Sequence, residues 1–301
     1  MKNLRTYLII IVTILFVTGI NAARDLKLLY EKTYHISPGK ELKVETSIGD
    51  VMISTWDKDE VYINVFGNQK AQDDVEFNFD GNDERVEVIA KKEGGFFNWF
   101  GFNGVSLRFE IKVPKKFNNR ISTSGGDIKL ADVVGKTQLK TSGGDLWIKN
   151  TEGEVKATTS GGNIFLDQNK GETSVTTSGG NIEAKNFDGN LNASTSGGDI
   201  RLKGANSRIN AETSGGDIDL EYWGASKGID LSTSGGDIYI RLPADFSASV
   251  KLATSGGEVS TDIGVNNVRK MSSHRLEGEL NKGGSPLNAT TSGGDIIVKK
   301  L

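Results

Sequence analysis

The chain has 301 residues and a net charge of −3, from 36 basic and 39 acidic side chains, and it contains no cysteine. No basic field is available for a phosphate backbone, so the composition argues against a nucleic-acid partner. The lack of cysteine excludes disulfides, thiolate metal sites, cysteine nucleophiles and lipidation of an N-terminal cysteine. Glycine is abundant, with 38 residues, and only 36% of residues are hydrophobic, which favours a thin coil with a narrow core.

Residues 1–22 have the pattern of a secretory signal peptide. Lys2 and Arg5 precede an apolar run at residues 7–17, and small residues follow up to Ala22. The run is shorter than the roughly 20 apolar residues that a membrane span needs. We predict cleavage after Ala22, no transmembrane span in the mature chain, and export to the periplasm, the outer surface or the medium. An uncleaved membrane anchor is the alternative.

Residues 23–120 are predicted to hold a first coil followed by a small sheet. Apolar and charged residues alternate over residues 42–46, and Ser47-Ile48-Gly49-Asp50 follows as a degenerate copy of a later repeat. Over residues 56–120, alternation of period two predicts short strands in a mostly antiparallel sheet. The end of a solenoid exposes unpaired strand edges, so we expect this sheet to act as a cap.

Residues 121–301 carry nine copies of the pattern Thr-Ser-Gly-Gly-Asp, in which Asn or Glu sometimes replaces Asp. The copies begin at Thr123, Thr141, Thr159, Thr177, Thr195, Thr213, Thr233, Thr254 and Thr291. The spacing is constant as far as Thr213, then lengthens slightly, and the last interval is close to two periods. A fixed period of roughly 20 residues is typical of a solenoid. Apolar residues alternate with polar ones on both sides of each turn, so each repeat is expected to hold two short strands.

These patterns predict an all-β fold, a parallel β-helix or β-solenoid with about 18 residues per coil and a small N-terminal antiparallel cap. A second turn is expected half a period away, at Gly135, Gly153, Gly171 and Gly189, and insertions are expected at that corner. Residues 276–284 are interpreted as a degenerate coil without the TSGG turn, and one regular coil follows them.

The turns themselves are interpreted as structural. Glycine allows a positive φ and close approach of stacked backbones, and the threonine is expected to face inward, where its hydroxyl satisfies turn amides. The last residue of each turn forms an acidic or amide column: Asp127, Asp145, Asn163, Asn181, Asp199, Asp217, Asp237, Glu258 and Asp295. Ca²⁺ is a possible bridging ion because hard cations take oxygen ligands. Calcium-binding β-rolls have an opposing ligand row, which is missing here, so we expect no cofactor and a hydrogen bond from each Asp or Asn to its own turn.

Two groups of aromatic residues are candidate ligand-binding sites. One is the loop at residues 94–102, with five aromatic side chains: Phe96, Phe97, Trp99, Phe100 and Phe102. It is interpreted either as a sugar-stacking or membrane-touching loop or as a plug over the open end of the coil. The other group is Trp147 and Phe165, expected to point outward on adjacent coils, with Tyr239 further along the same column. They form a small carbohydrate platform or, alternatively, a cross-strand aromatic stack.

An enzymatic alternative remains open. Polysaccharide lyases and hydrolases also use parallel β-helices, with Asp, Lys and Arg side chains in a groove, and Asp219, Arg201 and Lys129 are the available groups here. The sequence contains no nucleophile elbow, zinc motif or dinucleotide fingerprint. We therefore assign no catalytic, cofactor-binding or metal-binding residue.

The chain resembles the bacterial family of adhesin-like, exported β-helical domains of the DUF4097 type. Three features carry the resemblance: the opening at residues 42–51 with its continuation at 56–61, the run of TSGGD turns, and the ending at 277–284 that leads into 291–296. It extends over nearly all of the mature chain. It implies an exported β-solenoid and no catalytic residues.

The leading hypothesis is an exported, non-enzymatic β-solenoid that binds a glycan or a protein of the cell envelope or cell surface. A polysaccharide-active enzyme on the same scaffold and a Ca²⁺-ordered structural rod are the alternatives.

Overall fold

The computed structural model describes residues 26–92 and 104–301. The predicted signal peptide at residues 1–22 and the five aromatic residues Phe96, Phe97, Trp99, Phe100 and Phe102 lie outside the described residues.

The described chain is almost entirely strand, with one short helix. The N-terminal elements are β1 (Lys27–His35), β2 (Glu41–Thr46), β3 (Asp50–Trp56), β4 (Glu60–Gly67), α1 (Gln69–Asp74), β5 (Val75–Gly81), β6 (Arg85–Lys92), β7 (Leu107–Pro114), β8 (Asn118–Ser122) and β9 (Ile128–Ala131). The middle elements are β10 (Thr137–Lys140), β11 (Leu146–Thr158), β12 (Ile164–Thr176), β13 (Ile182–Ser194), β14 (Ile200–Ala205), β15 (Arg208–Glu212), β16 (Ile218–Trp223), β17 (Ile229–Ser232) and β18 (Ile238–Leu242). The C-terminal elements are β19 (Ala248–Thr254), β20 (Val259–Thr261), β21 (Val265–Ser272), β22 (Arg275–Leu280), β23 (Pro286–Thr291) and β24 (Ile296–Lys300).

The coils stack as two parallel walls. The first wall holds the residues that precede each TSGGD turn, and the second wall holds those that follow it. Strands β11, β12 and β13 run through the opposite corner and contribute to both walls. In the second wall, residues one repeat apart pair in register, so Leu146, Ile164, Ile182, Ile200 and Ile218 form one fully buried row. The inward rows of both walls belong to one hydrophobic core. Each fully buried aliphatic side chain contributes roughly 1.5–3 kcal/mol to the stability of the fold. The in-register parallel pairing of successive coils confirms the predicted β-solenoid.

A ladder of hydrogen bonds joins the TSGGD turns. The buried Thr159 hydroxyl donates to the Gly144 carbonyl of the preceding coil at 2.9 Å and accepts from the Gly162 amide of its own turn at 3.3 Å. This confirms the inward threonine row. The carboxylates act differently from our expectation, because Asp127 Oδ1 accepts from the Asp145 amide of the next coil at 2.9 Å. The expected bond of each Asp or Asn to its own turn is therefore wrong, and the side chain instead joins two coils.

The opposite corner is built from residues with positive φ. Asn150 and Gln168 have φ values of 49° and 59°, and Gly153 and Gly171 follow at 124° and 120°. This confirms the second turn. Further along the chain the corner is enlarged between β16 and β17, where the buried Tyr222 hydroxyl accepts from the Ser207 amide at 2.7 Å. Burial raises the pKa of Tyr222.

At the N-terminal end, stacking order departs from chain order. Strands β2 and β3 lie between β8 and β9 on one side and β6 and β7 on the other, all in parallel. Beyond them, β5 pairs antiparallel with β6, β4 with β7, and β1 with β4. The antiparallel cap is thus confirmed for β1, β4 and β5, where Tyr30 packs against Phe77 and Phe79. Strands β6 and β7 are parallel to β2 and β3 on one side and antiparallel to β5 and β4 on the other, so they join the solenoid to the cap.

Stacking order also departs from chain order at the C-terminal end. Strands β23 and β24 pair in parallel with β17 and β18 on one side and with β19 and β20 on the other. Strand β22 runs antiparallel on β19, and β21 antiparallel on β22. The interpretation of residues 276–284 as a degenerate coil is therefore wrong, because residues 276–280 belong to the antiparallel β22 of a capping hairpin and 281–284 to the connection that follows it. The hairpin tip brings His274 Nδ1 to 2.7 Å from the Gly257 carbonyl, where another coil would place its threonine hydroxyl.

We expect Thr159→Val to lower the free energy of unfolding by about 1–3 kcal/mol, because it removes the hydroxyl from a buried donor and a buried acceptor. Thr159→Ser is the matched control, since it keeps the hydroxyl and loses only a methyl group. Urea denaturation followed by circular dichroism measures both variants. A valine variant as stable as the serine variant would contradict this role for the ladder.

Candidate ligand-binding face

The outward side of the second wall carries the aromatic residues of interest. Side chains alternate across a strand, so the residues between the buried positions of β9, β11 and β12 face outward. Lys129, Trp147 and Phe165 are direct register partners on three successive coils. Trp147 is 42% exposed, which is high for so large an apolar side chain. The structure therefore brings together the first two of the three predicted outward aromatics.

Trp147 and Phe165 stack face to face. Their ring centroids are 3.9 Å apart and their planes differ by 17°. One face of each ring is thus covered by the other ring, as a cross-strand aromatic stack requires. The ammonium group of Lys129 lies 6.0 Å from the Trp147 ring centroid. The second face of Trp147 is turned toward Lys129 and is not covered by Phe165.

Tyr239 lies in the same outward column but away from this pair. The register passes from Phe165 through Glu183, Arg201 and Asp219 before it reaches Tyr239. Four coil spacings place it about 19 Å from Phe165 along the solenoid. Its hydroxyl donates to Asp237 Oδ2 at 2.9 Å, and this hydrogen bond raises the pKa of Tyr239. Tyr239 is a separate exposed aromatic, not a third member of the stack.

Charged residues continue the outward side of the wall beyond the aromatic pair, and several of them form ion pairs. Arg241 binds Asp219 at 2.9 Å, and Arg201 binds Asp199 at 2.8 Å. Lys129 forms no ion pair with any residue that the structure describes. Of the three groups considered for catalysis, Arg201 and Asp219 are register neighbours, whereas Lys129 is four coils from Arg201.

Of the nine side chains in the acidic or amide column, eight accept a hydrogen bond from a backbone amide of the neighbouring coil, as Asp199 Oδ1 does from the Asp217 amide at 3.0 Å. Within residues 26–92 and 104–301, no group of three or more His, Cys, Asp or Glu side chains is placed to hold a metal ion. No helix in the same ranges is long and apolar enough to cross a membrane.

Sequence reasoning missed one exposed aromatic side chain, Trp223, which is 40% exposed. It ends β16 beside Ala205 at the enlarged corner, and it continues the alternation of buried and outward residues along that strand. A tryptophan next to the Gly224 turn was the available signal.

The chain matches the family model described as Toastrack DUF4097 over residues 39–299. No curated protein matches it. Its fold is similar to a candidate cell adhesion protein from Clostridium sporogenes, at 12% identity and a TM-score of 0.26, covering 90% of this chain and 99% of that one. A candidate adhesin from Bacteroides fragilis is 12% identical with a TM-score of 0.31, and the match covers 94% of this chain and 100% of that one. A candidate lipid-binding protein from Parabacteroides distasonis is 16% identical with a TM-score of 0.33, and the match covers 90% of this chain and 96% of that one. These likenesses are too low to carry an argument about ligand or activity.

Proposed function

The chain belongs to the Toastrack DUF4097 family, and from this premise we propose that it is an exported, non-enzymatic β-solenoid that binds a cell-surface or envelope ligand. We propose that the chain is divided into a signal peptide at residues 1–22, a first coil and cap at 23–120, and the TSGGD solenoid at 121–301. The ligand-binding face is the outward side of the second wall around Trp147.

The single observation that supports this site is the exposed Trp147–Phe165 stack with Lys129 beside it. Contiguous exposed apolar patches on soluble proteins mark interaction surfaces when they are large, and the two stacked rings are a small patch of this kind. The patch is rigid, because β11 pairs on both sides, with β9 and with β12. A preorganised aromatic surface loses little conformational entropy when it binds.

The chemistry of the patch fits a glycan with an acidic group. Sugar rings present apolar C–H faces that pack against aromatic side chains, and Trp147 offers its edge and one face. The Lys129 ammonium is available for a carboxylate or sulfate on the same sugar. Phe165 is proposed to support the Trp147 ring from behind. The loop aromatics Phe96, Phe97, Trp99, Phe100 and Phe102, together with Tyr239, remain proposed as further contact residues.

The test is a panel of neutral and acidic polysaccharides, measured with the purified mature protein by calorimetry. Trp147→Ala with Phe165→Ala is expected to weaken binding of an acidic polysaccharide at least tenfold, since aromatic anchors dominate such contacts. Trp223→Ala is the matched control, because it removes an equally exposed tryptophan from the enlarged corner, and it is expected to leave affinity unchanged.

Three results would overturn the proposal in separate ways. Unchanged binding in the double variant would show that Trp147 and Phe165 do not form the binding site. No binding to any polysaccharide or to whole cells would contradict the proposed ligand-binding role. Release of shortened sugar products during incubation would show that the protein is an enzyme.

A further inference from the structure

The coil formed by β23 and β24, residues 286–300, is inserted between two coils that precede it in the chain. It pairs in parallel with β17 and β18 on one side and with β19 and β20 on the other. We propose that this insertion is exchangeable, and that the same coil from a second copy of the chain enters the slot to give a strand-exchanged dimer.

The inserted coil is held by the same kinds of hydrogen bond that hold the remaining coils. The Thr291 hydroxyl donates to the Gly236 carbonyl at 2.9 Å, and the Asp295 amide donates to Asp237 Oδ1 at 2.7 Å. The same two bonds join the Thr233 turn to the coil before it, at 2.9 and 2.8 Å. The slot therefore recognises a TSGGD coil by generic contacts, and a coil from a second copy makes all of them.

The two sides of the slot also complement each other. Across the inserted coil, the Thr254 hydroxyl donates to the Gly294 carbonyl and the Glu258 amide donates to Asp295 Oδ1. When the inserted coil leaves, the Thr254 hydroxyl and the Glu258 amide both lose their acceptors. The same coil from a second copy restores both hydrogen bonds, so the open slot favours its entry.

The connection into the inserted coil has the features of an exchange hinge. Residues 281–285 join β22 to β23, and three of them, Asn281, Gly283 and Gly284, have positive φ values of 50°, 69° and 135°. Glycine takes positive φ without strain and can also extend, so Gly283 and Gly284 allow this connection to open toward a second molecule. Short hinges favour exchange of an identical element. Five extended residues reach about 17 Å, several coil spacings.

The test uses full-length chains that each carry one introduced cysteine, because the protein has none of its own. Thr290 and Ser232 are outward register partners whose hydroxyl oxygens are 3.4 Å apart. Adjacent parallel strands are about 4.8 Å apart, within the range that a disulfide bridges. Thr290→Cys and Ser232→Cys proteins are unfolded together, refolded at high concentration and oxidised.

We expect a disulfide-linked heterodimer at least ten times more abundant than in a control mixture of Thr290→Cys with Ser194→Cys. Ser194 lies in the same outward row, two coils beyond Ser232, so that pair is linked only by random collision. Heterodimer no more abundant than in this control overturns the proposal. A single chain carrying both Thr290→Cys and Ser232→Cys is expected to close internally at low concentration, and its failure to do so overturns the slot geometry itself.

Discussion

Gly162→Ala is expected to lower the free energy of unfolding by more than about 3 kcal/mol, because a Cβ atom at this position overlaps the coil below it. The Cβ would lie 1.9 Å from the Gly144 carbonyl oxygen and 2.4 Å from its carbon. Both atoms belong to backbone that the ladder and the wall strands hold in place, so no flexible side chain can move away. Relief requires the two coils to separate, which breaks the hydrogen bonds between them.

Gly161→Ala is the matched control in the same turn. A Cβ there meets nothing closer than the Ser142 carbonyl oxygen at 3.7 Å, an ordinary contact, and Gly161 has no positive φ. Ile48 occupies the corresponding place in the turn of residues 46–50, which shows that a side chain fits. Alanine at 161 is expected to leave stability unchanged or to raise it by up to about 1 kcal/mol, through the unfolded state.

Urea denaturation of the two alanine variants, followed by circular dichroism, separates these expectations. Equal losses of stability at positions 161 and 162 would show that close approach between coils is not the reason for the glycine. The structure also separates the two explanations of the glycine pair. Close approach applies to the second glycine, and both close approach and a positive φ apply at the opposite corner, as at Gly171. At the first glycine the approach is close only in the C-terminal turns, where a Cβ at Gly256 would lie 3.1 Å from the Ser292 carbonyl oxygen.

The coil repeat and its core rows could be predicted because they depend on local pattern. The constant repeat period places Leu146 beside Ile164, and alternation of period two decides which side chains are buried. The stacking order at the two ends could not be predicted in this way. The turn at Thr233 offers the same acceptors to Thr254 and to Thr291, so only the whole chain, with its caps and connections, selects Thr291.

The candidate face was predictable to the same extent. The stack of Trp147 on Phe165 follows directly from the register of the repeat. The mutual coverage of their ring faces does not, because it depends on side-chain rotamers that the repeat does not specify. Trp223 follows from the same alternation along β16, in which it is the outward residue after the buried Tyr222, so its exposure could have been predicted.

Ile182→Ala is expected to lower the free energy of unfolding by about 2–5 kcal/mol, the usual range for this truncation in a core. Ile182 is fully buried and stacks in register between Ile164 and Ile200. Backbone hydrogen bonds fix the spacing of the coils, so the neighbouring side chains cannot collapse fully into the cavity. Ile182→Val is the matched control and is expected to lose about 0.5–1.5 kcal/mol.

Where this loss appears along the chain tests the solenoid architecture itself. Each coil contacts only its neighbours, so stability is approximately a sum of coil and nearest-neighbour interface contributions. In hydrogen exchange of Ile182→Ala, the largest loss of protection is therefore expected in β12, β13 and β14, which contain or flank the cavity. Only a small loss is expected in β2 and β3, near the N-terminal end of the solenoid. Uniform loss across both regions would show that the molecule unfolds as one cooperative unit, in which the stacking of coils does not limit how far a local defect spreads.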